Sequence, residues 1–559
     1  MVKLKKQTFL QGALILVLAN GLVKVIGALF KIPLTYLLHE EGMGLFNTAY
    51  QLYATLFAIA TTGLPVAVSK MVSENLALGH YYETKRIFKC ALLLLSIFGL
   101  CGAAFLYFGA EFLANDVIKD SAAVLCIKAI APALFFVAVM SAFRGFFQGR
   151  QNMIPTAISE VTEALGKLVI GYGVAFLLIN KGIEVASAGA ISGVSAGTFC
   201  SVAVLLILYK KLSPSMYRGI EKIKVNKTSA IMKKLLLFAI PITIGASVSS
   251  ITAVVDMIMI RSRLLSITFS PETAANLYHT YIAFNPPFES LQTLLHLTEN
   301  GARWLYGAYS GYAFSMFNLP LTLVVAISMS VVPNISAAFA VKNLRSVKQT
   351  TESAISITIL FSLPCAIGMS VLAGPILQTV FNTASSEHML EILAIAILFC
   401  TFVSVSTAIL QATGNVMLPV RNMLIGAAIK IAANYFWVAI PEINILGAPL
   451  GTNLCYLIIA VLNFIEVRKI TKMNFSVKNF ILKPGAAAVI MGVLIYLLYQ
   501  PVLGFIGNVR IATILVIGVG GVAYVAGLFL FGALRREDIL LLPKGEKIAA
   551  FLTKHKLIK

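Results

Sequence analysis

Charge is scarce in this sequence. Of 559 residues only 12% are charged, and the 23 Asp and Glu are outnumbered by 44 Lys and Arg, for a net charge of +21. With 59% hydrophobic residues, the chain lacks the polar side chains needed to cover a water-soluble protein of this length. No C-x-x-C pair occurs among its seven cysteines, Cys90, Cys101, Cys126, Cys200, Cys365, Cys400 and Cys455, which lie in or beside apolar runs. They read as buried small apolar residues, and a redox or zinc framework is excluded. The six histidines show no H-E-x-x-H or other metal spacing, and Walker and G-x-G-x-x-G loops are absent. Metal sites, ATP hydrolysis and resident cofactors are therefore not expected.

What is present is a series of apolar stretches, each near the 20 or so residues that cross a bilayer core of roughly 30 Å. They fall at 9–37, 43–68, 86–110, 122–147, 155–179, 185–209, 232–260, 305–331, 351–377, 390–412, 418–440, 446–467, 485–503 and 510–533. The chain reads as an all-α membrane protein of about fourteen transmembrane helices. Most of the Lys and Arg lie on the side of the N-terminus. They cluster at Lys210, Lys211, Arg218, Lys222, Lys224, Lys227, Lys233 and Lys234, again at Arg468, Lys469, Lys472, Lys478 and Lys483, and in the tail from Arg535. The positive-inside rule puts that side, with both termini, in the cytoplasm. Because the basic excess follows the loops, it speaks for membrane topology and against nucleic acid. Lys3, Lys5 and Lys6 precede an apolar run without a small-residue cleavage site, so the first span reads as a retained anchor.

The two halves resemble each other weakly at a nearly constant offset. Leu64-Pro65 meets Val332-Pro333, Asn75-Leu76 meets Asn343-Leu344, and the loop Gln148 to Pro155 meets Ala412 to Pro419. A repeat of six crossings keeps its orientation, which implies two parallel six-helix bundles related by a pseudo-two-fold axis along the membrane normal. The expected organisation is a bundle over 1–211, a basic linker over 212–231 and a second bundle over 232–468 containing an extracytoplasmic loop, 262–304. Two additional spans follow within 485–533, and then a basic tail over 534–559.

Ionisable groups at bilayer depth are expensive, at about 2.5–3.5 kcal/mol on insertion scales, so they mark a wet interior or a partner. Lys24 and Lys31 lie two turns apart on one face of span 1 and suit a diphosphate; for Lys31 the plain alternative is snorkelling to the headgroups. Glu160, Glu163 and Lys167 form one stripe on span 5, with Glu163 and Lys167 spaced for an internal ion pair. Lys430 and Asn434 lie four apart on span 11, and Lys430 has no acid in its own helix. Asn47 and Gln51 on span 2 suit either a cavity lining or a bond to another helix. Asp256 on span 7 reads as a coupling-ion site or as a local pair with Arg261 and Arg263, and Glu160 is a second ion-coupling candidate. Lys128 and Arg144, near span ends, read as snorkelling side chains. The interior leans cationic, which favours an anionic substrate.

The opening Lys6-Gln7-Thr8-Phe9-Leu10-Gln11-Gly12, the run Gly63-Leu64-Pro65-Val66-Ala67-Val68-Ser69-Lys70, and Leu305-Tyr306-Gly307-Ala308-Tyr309-Ser310-Gly311 through Leu319-Pro320 and Val332-Pro333 carry a resemblance. Together they resemble the stage V sporulation protein B and lipid II flippase family of the multidrug, oligosaccharidyl-lipid and polysaccharide exporter superfamily, over almost the whole chain. The resemblance implies a V-shaped pair of bundles in the bacterial cytoplasmic membrane that turns a lipid-linked cell-wall precursor across by alternating access. Lys24 and Lys31 would match its cationic positions in span 1, where arginine is common, and Glu163 and Lys167 its acid and base in span 5. The two extra helices would shelter the lipid tail. The charged cluster that enterobacterial relatives carry before the proline matching Pro320 is missing from Phe314-Ser315-Met316-Phe317-Asn318-Leu319, which aligns the chain with the sporulation and Gram-positive branch.

The expected function is a flippase for a polyprenyl-diphosphate-linked saccharide such as lipid II, with Lys24, Lys31, Lys167 and Lys430 on the diphosphate. Na⁺ or H⁺ is left open as coupling ion, and membrane lipids and cell-wall synthesis proteins are the expected partners. A cation-coupled multidrug antiporter of the same architecture is the alternative, although its cationic substrates call for acids where this chain has lysines. An extracytoplasmic enzyme would have to use the 262–304 loop, with Glu272, His279, Glu289, His296 and Glu299. There Tyr278, Tyr281, Phe284, Phe288 and Leu291 read better as a segment lying in the membrane interface.

Overall fold

Inside hydrocarbon a backbone amide finds no water to bond, so a chain built of apolar runs must satisfy its own N–H and C=O groups within helices. The computed structural model describes residues 9–61, 63–216, 227–284 and 296–533, which are almost entirely helical. Among them the only extended pairing is one antiparallel bridge between Thr268 and His296. Ten helical stretches of the described residues are long and apolar enough to cross a bilayer, and the protein is a multi-pass membrane protein. One of the ten, Ala19–Leu76, has 58 residues. At 1.5 Å per residue it would be roughly 87 Å long if straight, about twice the thickness of a membrane. It is bent instead at His39, whose φ of 52° and ψ of −166° interrupt the helix. The Phe30 and Phe46 rings, on either side of the bend, meet at 6.0 Å, so the chain doubles back there. The stretches expected at 232–260, 305–331 and 418–440 are helical as well but are not among those ten.

The chain divides into two compact units, Met1–Ser262 and Arg263–Lys559. The first contains α1 (Phe9–Thr61), α2 (Gly63–Ala77), α3 (Tyr81–Phe108), the short α4 (Ala110–Phe112), α5 (Ala123–Gly149), α6 (Ile154–Gly166), α7 (Tyr172–Leu178) and α8 (Ile183–Met216), and most of α9 (Thr228–Leu265). One core of this unit stacks Phe88, Phe143, Phe146 and Tyr209 from α3, α5 and α8. Ile231, Leu235 and Ala239 of α9 complete the same core. The helix expected to open the second bundle at 232 thus packs on the first unit, where Thr55 Oγ1 also donates to the Ser250 carbonyl at 2.9 Å. At the other end of α9, Arg261 reaches Asp120 at 2.6 Å, both side chains fully enclosed. Arg263, in the second unit, instead stacks on Tyr435 at 3.9 Å and donates to its carbonyl.

The second unit contains α10 (Pro271–Tyr281), α11 (Glu299–Gly307), α12 (Phe314–Ala340), α13 (Leu344–Val371), α14 (Ala373–Phe381), α15 (Glu387–Ala412), α16 (Met417–Trp437), α17 (Gly447–Thr471), α18 (Lys483–Ile506) and α19 (Val509–Leu530). The last two share a core with α13, and the Tyr524 hydroxyl donates to the Leu360 carbonyl at 2.8 Å. Within the 262–304 loop, Tyr281 is buried against Trp304, ring centroids 5.4 Å apart. Phe288, Leu291 and Glu289 lie outside the described residues, as do the tail and residues 217–226 of the linker. Of the cysteines, Cys101 is exposed, and Cys200 and Cys365 are half-buried, so only Cys90, Cys126, Cys400 and Cys455 fit the buried reading.

Local structure recurs in the two units at one offset of 263 positions. The Ser73 hydroxyl donates to the Gly149 carbonyl at 2.7 Å, and Ser336 to Ala412 at 3.1 Å. The helix ending before Gly79 closes with His80 N–H on the Asn75 carbonyl, and its counterpart with Asn343 N–H on Ala338. In both, a left-handed residue makes the turn: Gly79 at φ 78° and Lys342 at φ 54°. After α5 and α15 the same device returns, Asn152 to Phe147 and Asn415 to Leu410, through left-handed Gln151 and Gly414. These are Schellman-type helix ends, in which a six-residue turn satisfies carbonyls left over by the helix. The structural register places Asn343 opposite His80 instead of Asn75, and shifts the second loop by one residue from the sequence match.

An enclosed ion pair leaves a bare charge when one partner is removed. Asp120→Ala is expected to destabilise the protein by about 3–5 kcal/mol. The double variant Asp120→Leu with Arg261→Met should recover most of the loss, both read from thermal unfolding in detergent.

Candidate functional site

Arg144, Glu163 and Lys167 gather where three helices, α5, α6 and α8, come close together. On α8, Gly189, Gly193 and Gly197 recur every fourth residue, and that stripe lies against the backbone of the helix carrying Glu163 and Lys167. A Cβ on Gly197 would stand 2.5 Å from the Glu163 carbonyl, and one on Gly166 would stand 2.6 Å from the Gly197 Cα. Small residues at such crossings let backbones approach closely, and the packing this allows contributes to helix association in lipid. Opposite them α6 gives way, from Lys167, to a π-helical turn, Lys167–Gly171, before α7 resumes the helix. Such turns widen a helix and re-aim its side chains.

Glu163 and Lys167, spaced to neutralise each other, do not do so. Arg144 of α5 takes the acid instead: its Nη2 lies 3.1 Å from Glu163 Oε2, and its Nε donates to Ser159 Oγ at 2.8 Å. The side chains of Arg144 and Glu163 are 16% and 22% exposed, so this is a largely desolvated pair and not a snorkelling arginine. Lys167 is left without a carboxylate partner among the described residues, and its ammonium lies 5.3 Å from the centre of the Tyr50 ring. A cation at that distance from an aromatic face is weakly held. Tyr50 belongs to an aromatic ladder, Phe46, Tyr50, Tyr53 and Phe57, along the second limb of α1. Glu160 is half-buried, with one carboxylate oxygen shut off from solvent and without a hydrogen-bond partner among the described residues.

The remaining sequence candidates are distributed as follows. Lys24 is exposed and Lys31 half-buried on the first limb of α1, neither in an ion pair with a described residue. Asn47 and Gln51 are half-buried on the second limb, and the Gln51 carbonyl accepts from Thr55 Oγ1 at 3.1 Å. Asp256 is buried on α9, while its neighbour Arg261 is engaged by Asp120. Lys128, expected to snorkel, is paired with Glu111 at 2.8 Å, and its ammonium holds that carboxyl below the usual carboxylate range. In the second unit Lys430 is half-buried on α16. Asn434 is fully enclosed, with its carboxamide oxygen against Gly451 of α17, so it serves helix packing and does not face an open surface. In the register set by the repeated turns, Lys167 and Lys430 are equivalent, 263 positions apart (167 and 430). The acid and arginine beside Lys167 have Gly426 and Thr407 as their counterparts. Each unit therefore presents a lysine at the same place in its fold.

Sequence reasoning missed Arg144 as a partner, because its position near a span end is also where snorkelling side chains sit. It also missed the glycine stripe, whose every-fourth-residue spacing is a readable sign of a close helix crossing.

A family model described as polysaccharide biosynthesis protein matches residues 9–340, and one described as lipid II flippase MurJ matches residues 297–515. Stage V sporulation protein B of Bacillus subtilis (strain 168) is 26% identical over 483 residues, spanning 85% of this chain and 87% of that one. Lipid II flippase MurJ of the same organism is also 26% identical, over 92% of this chain and 94% of its own length. Among solved structures, lipid II flippase MurJ in an inward closed conformation superposes with a TM-score of 0.63 at 17% identity, covering 93% of this chain and 98% of that one, a likeness of fold.

The glycine contact is backbone against backbone and cannot yield by rotating a side chain. Gly197→Ala is expected to lower stability by about 1–3 kcal/mol. Gly173→Ala, on the same bundle with nothing within 4 Å of the added carbon, should leave the unfolding temperature unchanged or slightly raised.

Proposed function

The chain belongs to the polysaccharide biosynthesis protein family, and from that membership we propose that it is a flippase moving a polyprenyl-diphosphate-linked saccharide, a cell-wall precursor such as lipid II, across the cytoplasmic membrane by alternating access. The similarity to lipid II flippase MurJ over nearly the whole chain supports the transport class. The basic loops support an orientation with both termini in the cytoplasm. The recurrence of local structure at one offset supports a duplicated transporter of the kind that works by alternating access.

The observation that carries the substrate class is the disposition of charge around Lys167. Arg144 neutralises Glu163, so Lys167, half-buried beside Tyr50, keeps an ammonium free of any carboxylate among the described residues. A charge in that setting favours an anion far more than it would in water. Lys430 repeats the position in the second unit, and Lys24 and Lys31 add two cations on α1. Together the four lysines suit a diphosphate, the charged group common to lipid-linked saccharides of this kind. Glu160 and Asp256 are the positions we propose for a coupling Na⁺ or H⁺.

The arrangement makes an unusual genetic prediction. In vesicles reconstituted with the protein, Lys167→Ala should slow flipping of a polyprenyl-diphosphate saccharide roughly tenfold or more, the loss of one charge-assisted contact. Arg144→Gln should slow it comparably, because Glu163 is then released to Lys167, and adding Glu163→Gln should restore much of the rate. Wild-type flipping by the Lys167→Ala, Lys430→Ala double variant would remove the lysines from the mechanism.

A further inference from the structure

On the face opposite the basic loops, three connections of the second unit meet around an open cleft of about 220 Å³. They are the α10 segment, the entry to α15 and the turn between α16 and α17. The cleft floor is apolar, made by Leu277, Tyr281 and Pro441, and the rim is polar, made by Asn276, His388 and Glu442. The Asn276 carboxamide and the Glu442 carboxylate carry no hydrogen bond or ion pair to described residues, so both are available to a ligand. The floor is fixed, because Tyr281 is wedged edge-on against Trp304 and the Leu277 side chain is buried.

The lining decides the ligand class. No Lys or Arg contributes to it, and its one free charge is a carboxylate, so a phosphate or other anion is disfavoured. No group of three metal-binding side chains exists among the described residues, so a coordinated cation is also disfavoured. What remains is an uncharged group with a flat apolar face and hydrogen-bonding edges, the chemistry of a sugar ring. Pockets of this composition, apolar with a few convergent polar groups, are the usual form of small-molecule sites. We propose that this cleft binds a single sugar residue of the saccharide headgroup on the extracytoplasmic side. The cleft would be an exit subsite distinct from the lysines that hold the diphosphate. This inference rests on the flippase reading, since it needs a saccharide to arrive on that face.

The protein's two tryptophans supply the readout, because Trp304 touches the cleft floor and Trp437 lies four residues before Pro441. Titration of the full-length protein in nanodiscs with N-acetylglucosamine should give a saturable change in tryptophan fluorescence in the millimolar range, with acyclic sorbitol giving none. Asn276→Leu and Glu442→Leu, checked for unchanged unfolding temperature, should each weaken the response roughly tenfold. An absent response, a response equal for sorbitol, or one undiminished in both variants overturns the subsite. Flipping by the wild-type protein, measured in parallel, separates the two ideas. Transport without sugar binding removes only the cleft, whereas sugar binding without transport leaves a sugar-binding cleft but removes the flippase reading and with it the role of exit subsite.

Discussion

A charged side chain in the bilayer must find a partner or water, and a polar backbone group there must find another backbone group. The second demand fixes the helices. The first fixes where they touch, and in this protein it is met at a small number of enclosed contacts: Arg144 with Glu163, Arg261 with Asp120, and the hydroxyls that return to helix carbonyls. The Arg144 contact has the widest consequence. It holds α5 to α6 and removes the one acid that would otherwise quench Lys167.

Backbone contact makes this possible. The glycines of α8 bring it against the chain at Glu163 and Lys167, and the π-helical turn from Lys167 to Gly171 lies on that crossing. A bulkier stripe would hold the helices apart and leave Glu163 free to choose its partner. The charge arrangement therefore depends on residues that carry no charge.

The two units keep their turns more faithfully than their side chains. The serine that clamps a helix end, the left-handed residue that follows a helix and the lysine on the helix after that all recur at one offset. Turn geometry is constrained by the backbone and tolerates little change, whereas Arg144 and Glu163 have Thr407 and Gly426 as counterparts. The halves have diverged in how each lysine is surrounded while retaining the lysine itself.

Helical membrane architecture and the positions of the apolar runs, with the lysines inside them, are written in the sequence, because hydropathy and helix periodicity are local properties that lipid reads directly. Pairing is not local. The spacing of Glu163 and Lys167 favours a bond that the fold does not make, since Arg144 arrives from another helix and takes the carboxylate. Asn434, four residues from Lys430, looks like its companion and is instead closed against Gly451. The same limit applies to the cleft over α10, whose walls come from three connections widely separated along the chain. Which groups carry charge was legible from the residues alone; which of them remain available was decided only when the helices packed, because availability depends on who else reaches the same place.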